Sequence, residues 1–137
     1  MKITSVEIIP ITQKHKGKLI FSTGPTPAAD DFIIVRIKSD EGIEVVGSAY
    51  AFQPSPILGA GASREGAMAL MKDLAKVIIG EDPLRIHHIL GKLERCMSGQ
   101  WAENWHILAH FDHALYDLKG KILGLPVYEL LGGIRRE

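Results

Sequence analysis

The alternation of apolar and polar positions divides the chain into an extended first third and a helical remainder. Ile3 to Thr12 is rich in β-branched residues and reads as a first strand. Phe32 to Lys38 reads as the clearest strand, because Ile33, Val35 and Ile37 fall on one face at a period of two. Ser39-Asp40-Glu41-Gly42 then supplies turn chemistry, with Gly42 free to take a positive φ, and Ile43 to Tyr50 resumes the extended pattern, so the two segments form a hairpin. Between the first strand and this hairpin, His15 to Asp31 carries Gly17, Gly24, Pro25 and Pro27 and reads as a loop holding one short strand near Lys18 to Ser22.

Beyond Gln53-Pro54-Ser55-Pro56 and the glycines 59 and 61, the apolar period lengthens to nearly four. Ala67, Leu70, Met71, Leu74, Val77 and Ile78 form a helical stripe, with Ser63 as N-cap and Gly80 as the stop. Asp82-Pro83 reads as the capped opening of a second helix, along which Ile86, Leu90, Leu93 and Met97 repeat. Asn104 is placed to cap a third and longest helix, lined by Ile107, Phe111, Ala114, Leu115, Leu118 and Ile122 and ended by Gly124, after which Pro126 opens a short turn through Leu131. Strands first and helices second, with no βαβ alternation, predict an α+β domain: a small antiparallel meander of three to four strands with three helices packed on it.

Composition narrows what such a domain does. The chain has 137 residues, 46% of them hydrophobic, enough to bury one core. Sixteen basic residues balance sixteen acidic ones, which removes the broad electrostatic attraction that nucleic acid or an anionic membrane would exploit. The N-terminus reaches Glu7 before any long apolar run develops, and no stretch approaches the roughly 20 apolar residues of a membrane span. A soluble cytoplasmic protein is expected, and the single Cys96 is expected to be a buried, inert thiol in a reducing compartment.

No residue pattern identifies a catalytic centre. Gly59-Ala60-Gly61 with Gly66 lacks the preceding strand of a phosphate loop and reads as a helix lead-in. His106, His110 and His113 share a helical face, but Ile107 stands where the strong zinc motif requires glutamate. The neighbours Asp30 and Asp31, and Glu81 and Asp82, are not spaced as catalytic carboxylate pairs are, and Asp117 and Glu129 stand singly. No serine lies in a Gly-x-Ser-x-Gly elbow, and Cys96 carries no sign of activation.

The C-terminal stretch Ala114-Leu115-Tyr116-Asp117-Leu118-Lys119-Gly120-Lys121-Ile122-Leu123-Gly124-Leu125-Pro126-Val127-Tyr128-Glu129-Leu130-Leu131-Gly132-Gly133 closely resembles the segment that ends the N-terminal capping domain in the mandelate racemase and muconate lactonizing enzyme group of the enolase superfamily. Met1-Lys2-Ile3-Thr4-Ser5-Val6-Glu7 is similar to that family's first strand, and Asp40-Glu41-Gly42 followed by Val45-Val46-Gly47-Ser48-Ala49-Tyr50 to its hairpin. Many relatives carry Trp-Gly-Glu-Ala in that last strand. Val46-Gly47-Ser48-Ala49 here is more similar to the mandelate racemase branch.

The resemblance implies an enolase N-terminal-like fold over residues 1–133, with 134–137 starting a linker into a TIM-like barrel that this chain lacks. The barrel of the family abstracts the proton α to a carboxylate, with Lys or His as the base and a divalent metal, Mg²⁺, on the enediolate, as is general for the enolase superfamily. The resemblance therefore implies a racemase, dehydratase or cycloisomerase of hydroxy or sugar acids, no catalytic or metal residue within this chain, and no activity from the chain alone. Two loops of the family close over the substrate. Carried onto this sequence, they nominate Leu19, Phe21 and Thr23 in the first and Tyr50 and Phe52 in the second, with a core role for Phe21, Tyr50 and Phe52 as the competing reading. The partners implied are the barrel, a small carboxylate substrate and further copies in a homo-oligomer. The alternative is a free-standing, non-catalytic module that homo-oligomerises or binds a partner through its exposed apolar helix surface.

Overall fold

A computed structural model describes residues 1–17, 20–21, 24–25, 29–50, 64–97 and 101–134. Five strands precede four helices: β1 Ile3–Lys14, β2 Ile20–Phe21, β3 Gly24–Pro25, β4 Ala29–Ser39, β5 Glu44–Tyr50, α1 Arg64–Ile78, α2 Ile86–Cys96, α3 Trp101–Leu123 and α4 Val127–Leu130. β1, β4 and β5 form an antiparallel sheet in that order, and β2 pairs with β3 in a separate two-stranded hairpin. The α+β meander expected from the sequence is therefore present. The short strand expected near Lys18 to Ser22 is Ile20–Phe21, paired with Gly24–Pro25, while Lys18 and Ser22 lie outside the described residues.

Alternation decides which sheet face is covered. Ile33, Val35 and Ile37 of β4, with Val45 of β5 and Ile3 of β1, are buried beneath the helices. Met71, Leu74 and Ile78 of α1, Ile89 and Leu93 of α2, and Phe111, Leu115 and Leu118 of α3 close the core from the other side. The opposite sheet face carries Glu7, Arg36 and Glu44, with Arg36 reaching Glu7 at 3.3 Å and Glu44 at 3.4 Å. Pro10 is tolerated in β1 because β1 is an edge strand. The other edge, β5, is covered by α3: Lys121 Nζ donates to the Glu44 carbonyl at 3.2 Å, and His113 Nδ1 lies 2.8 Å from the Ser48 carbonyl.

Two glycines stop helices as expected, Gly80 at φ 85° after α1 and Gly124 at φ 66° after α3, and Gly42 turns the β4–β5 hairpin at φ 80°. Three expectations are corrected. Asp82 does not cap α2, which begins at Ile86 with Arg85 as N-cap; its carboxylate instead accepts from the Leu84 N–H at 3.1 Å, shaping the turn before the helix. Asn104 lies inside α3, which starts three residues earlier at Trp101. Cys96 ends α2 exposed rather than buried, because the apolar stripe of that helix runs through Ile86, Ile89, Leu93 and Met97 and leaves position 96 on the outer side. Ser63, the expected cap of α1, lies outside the described residues. None of the described helices is long and apolar enough to cross a membrane.

Candidate functional site

The sheet register brings one end of the domain into focus. Lys14 at the end of β1 pairs with Ala29 at the start of β4, and Phe32 pairs with Tyr50 at the end of β5. The segment between β1 and β4, which contains the β2–β3 hairpin, and the segment after β5 therefore spring from the same end of the sheet. Phe21 is placed opposite Gly24 in that hairpin, and Tyr50 closes β5. Leu19, Thr23 and Phe52 lie outside the described residues.

A polar cluster holds this end together. The Thr12 hydroxyl donates to Asp31 Oδ1 at 2.6 Å, and Arg64 Nη1 donates both to Asp31 Oδ1 at 2.9 Å and to the Thr12 oxygen at 3.1 Å. The first residue of α1 is thus tied to the ends of two strands. His15 Nε2 lies 3.2 Å from Asp30 Oδ2 at the mouth of the β1–β4 segment, close enough for a charge contact but not aligned as a hydrogen bond. Asp30 and Asp31, adjacent in sequence, take different partners because neighbours on a strand point to opposite faces. Sequence reasoning missed Thr12, His15 and Arg64 here. The signal was long-range pairing, which no local spacing carries.

The histidines of α3 do not converge. His110 is 1% exposed and its Nδ1 lies 2.6 Å from the His106 carbonyl one turn back, whereas His113 faces β5. Among the described residues no three His, Cys, Asp or Glu side chains are gathered as a metal site would require. Burial raises the Asp112 carboxyl above its ordinary range, with nearby His113 and His87 only partly offsetting it. The Glu81 carboxyl is lowered, chiefly by its hydrogen bond from Lys92, which ties the α1–α2 turn to α2.

At the C-terminal end, large apolar side chains remain uncovered: Leu123, Leu125, Tyr128, Leu131 and Ile134 are all about half to two-thirds exposed, Leu131 and Ile134 each at 66%. They follow one another along the end of α3, α4 and the residues beyond it. Leu130 is half-buried.

The chain is 33% identical over its whole length to a cis-3-hydroxy-L-proline dehydratase of Roseibium aggregatum, of which it spans 36%. It is 37% identical over 80% of its length to a D-galactonate dehydratase of Xanthomonas euvesicatoria pv. vesicatoria, of which the match spans 27%. The crystal structure of a dipeptide epimerase from Cytophaga hutchinsonii, complexed with Mg and the dipeptide D-Ala-L-Val, superposes on all of this chain with a TM-score of 0.85 at 30% identity, over 35% of the epimerase. The chain thus spans about a third of the length of these relatives, and its sheet and helices have the fold of the enolase N-terminal capping domain. The family model for the N-terminal domain of mandelate racemase/muconate lactonizing enzymes matches residues 6–132, and the chain belongs to that family.

Proposed function

We propose that this chain is the capping, specificity-setting domain of a Mg²⁺-dependent enzyme that removes the proton α to a carboxylate, acting as a racemase, dehydratase or cycloisomerase on a hydroxy or sugar acid. The observation that carries this reading is the match along the full chain to enzymes of which it forms only about a third. Residues 1–133 form the cap, and residues 134–137 lead toward a barrel that supplies the base and the metal ligands. The described residues of this chain offer no set of donors fit for Mg²⁺, so no step is assigned to it through the metal.

What the chain contributes is enclosure. Two segments spring from one end of the sheet, which is how a cap reaches over a barrel mouth from two sides. Leu19, Phe21 and Thr23 from one segment, and Tyr50 and Phe52 from the other, are proposed to close on the carboxylate substrate. Apolar and aromatic groups suit that position, since excluding water strengthens the electrostatic stabilisation of the developing enediolate. The exposed C-terminal stripe, Leu123 to Ile134, is proposed to be the surface on which the barrel docks.

Exchange of the substrate α-proton with deuterium from solvent, followed by NMR over a panel of hydroxy and sugar acids, tests the reading. The enzyme containing this domain and a barrel is expected to exchange one acid of the panel in a Mg²⁺-dependent manner, with Phe21→Ala and Tyr50→Ala lowering kcat/KM about tenfold or more. The 137-residue chain alone is expected to exchange none. Exchange by the chain alone would overturn the assignment of chemistry to a barrel, and unchanged kinetics in both variants would return these side chains to a core role.

A further inference from the structure

Each of the two segments proposed to face the substrate has two roots, and all four meet near the start of β4. The first segment leaves β1 at Lys14 and re-enters the sheet at Ala29, residues paired across the ladder. The 3.2 Å contact between His15 Nε2 and Asp30 Oδ2 spans the same mouth. The second segment leaves β5 at Tyr50, which pairs with Phe32 of β4, and ends at Arg64, the first residue of α1. Arg64 Nη1 donates at 2.9 Å to Asp31, the residue next to Phe32. Both roots of the second segment are therefore fastened to neighbouring residues of β4, just inside the point where the first segment returns to the sheet.

Alternation along β4 sets this up. Asp31 shares the helix-covered face with Ile33, Val35 and Ile37, which aims its carboxylate at the start of α1. Thr12, its partner across the β1–β4 ladder, donates to Asp31 Oδ1 at 2.6 Å and accepts from Arg64 Nη1 at 3.1 Å. The ladder already joins β1 to β4 at this point, so what the guanidinium adds is the link from α1 to both strands. Glu65 Oε1, 3.4 Å from Arg64 Nε, holds the same guanidinium to the helix itself. A partly exposed ion pair contributes little to global stability; what distinguishes this one is its place at the junction of the roots.

We propose that Arg64 is a positioning residue that couples the two segments. Held to Asp31 and Thr12, it fixes the end of the second segment relative to both roots of the first, so that the placement of Tyr50 on the substrate depends on that of Phe21. It acts through the segments rather than on the substrate. Selection among acids is then a joint property of the pair, and a side chain lost from one segment weakens what the other contributes. Arginine suits the task because its planar group stays charged and donates in fixed directions. The inference rests on the reading of the two segments as substrate-facing.

Two measurements test the proposal. In the 137-residue chain, Asp31→Val and the shape-conserving Thr12→Val should each raise amide hydrogen exchange in the first turn of α1 about threefold or more, as Arg64→Met should, with the rest of α1 unchanged. In the enzyme containing this domain and a barrel, a double-mutant cycle of Phe21→Ala and Tyr50→Ala on kcat/KM should be non-additive, the loss in the double variant falling short of the product of the single losses by about threefold or more. With Arg64→Met in the background the same losses should multiply to within about twofold, and Arg64→Lys, which keeps a charged donor for Asp31, should restore part of the shortfall. A merely structural Arg64 would lower all corners of the cycle alike and leave the coupling intact. Single losses that multiply in the unaltered enzyme, a coupling that survives Arg64→Met, or a first turn of α1 indifferent to both Asp31→Val and Thr12→Val overturns the proposal while leaving the capping reading in place. No loss from either single variant would remove the substrate-facing reading of the segments, and the proposal with it.

Discussion

At the scale of single residues, identity is often dictated by what lies opposite rather than by what lies next door. Gly47 is the sharpest instance. In the sequence it belongs to the Val46-Gly47-Ser48-Ala49 segment that resembles one branch of the family, but in the structure it is the point where β5 touches the backbone of α3. Gly47→Ala is expected to push strand and helix apart and to cost about 2–3 kcal/mol in urea unfolding; a change below about half a kcal/mol would show that the contact is not tight. Asp112 makes a complementary prediction. Its carboxyl is raised by burial, so the folded chain holds that proton more tightly than the unfolded chain does. Its contribution to stability is intact below the ordinary carboxylate value and is lost as pH climbs through the raised one, leaving a net cost at neutral pH. Asp112→Asn should therefore be the more stable protein at about pH 7, with the advantage shrinking below about pH 4, as followed by thermal unfolding across pH. An advantage that does not change with pH would place its cause elsewhere.

At the scale of elements, periodicity carried most of the information. Ile33, Val35 and Ile37 were legible as one buried face, and the stripes of α1 and α3 were legible at helical spacing, because a single period dominates each segment. Boundaries were less legible where side-chain chemistry competes. Asp82 has the chemistry of a cap but spends it on the Leu84 N–H, one turn too early, and α3 extends past Asn104 to Trp101. In α2, Ile89 was missed as a core residue and Cys96 was misplaced, since an 11-residue helix leaves few repeats from which to fix the stripe. Pairings between distant segments were not legible at all. The Thr12–Asp31–Arg64 cluster joins three elements across 52 residues of sequence. Arg64 and Asp31 are only partly exposed, at 33% and 26%, so Arg64→Met is expected to cost about 1 kcal/mol after allowance for solvent screening. The accompanying rise in amide hydrogen exchange should be confined to the first turn of α1; a rise spread evenly over the domain would deny the cluster its anchoring role.

At the scale of the whole molecule, the two ends of the domain have different surfaces. One end gathers the strand termini from which the two segments proposed to face the substrate depart, and the C-terminal stretch presents Leu125, Leu131 and Ile134 to solvent. A run of large apolar groups left open in this way is costly in water and is the ordinary mark of a surface meant for another domain. The likeness to relatives about three times as long makes a barrel domain the occupant we propose for that surface. The family was legible chiefly from the Ala114–Gly133 stretch and the fold from the periodicity of strands and helices, whereas the substrate, on the proposed reading, is set by the lid segments together with the barrel. Native mass spectrometry of the natural protein, taken from its own source, tests the central claim most directly. A subunit about three times the 15.1 kDa of this chain is the result that a capping domain joined to its barrel predicts. A subunit of 15.1 kDa with no barrel chain bound to it would contradict that account and leave the domain as a free-standing binding module.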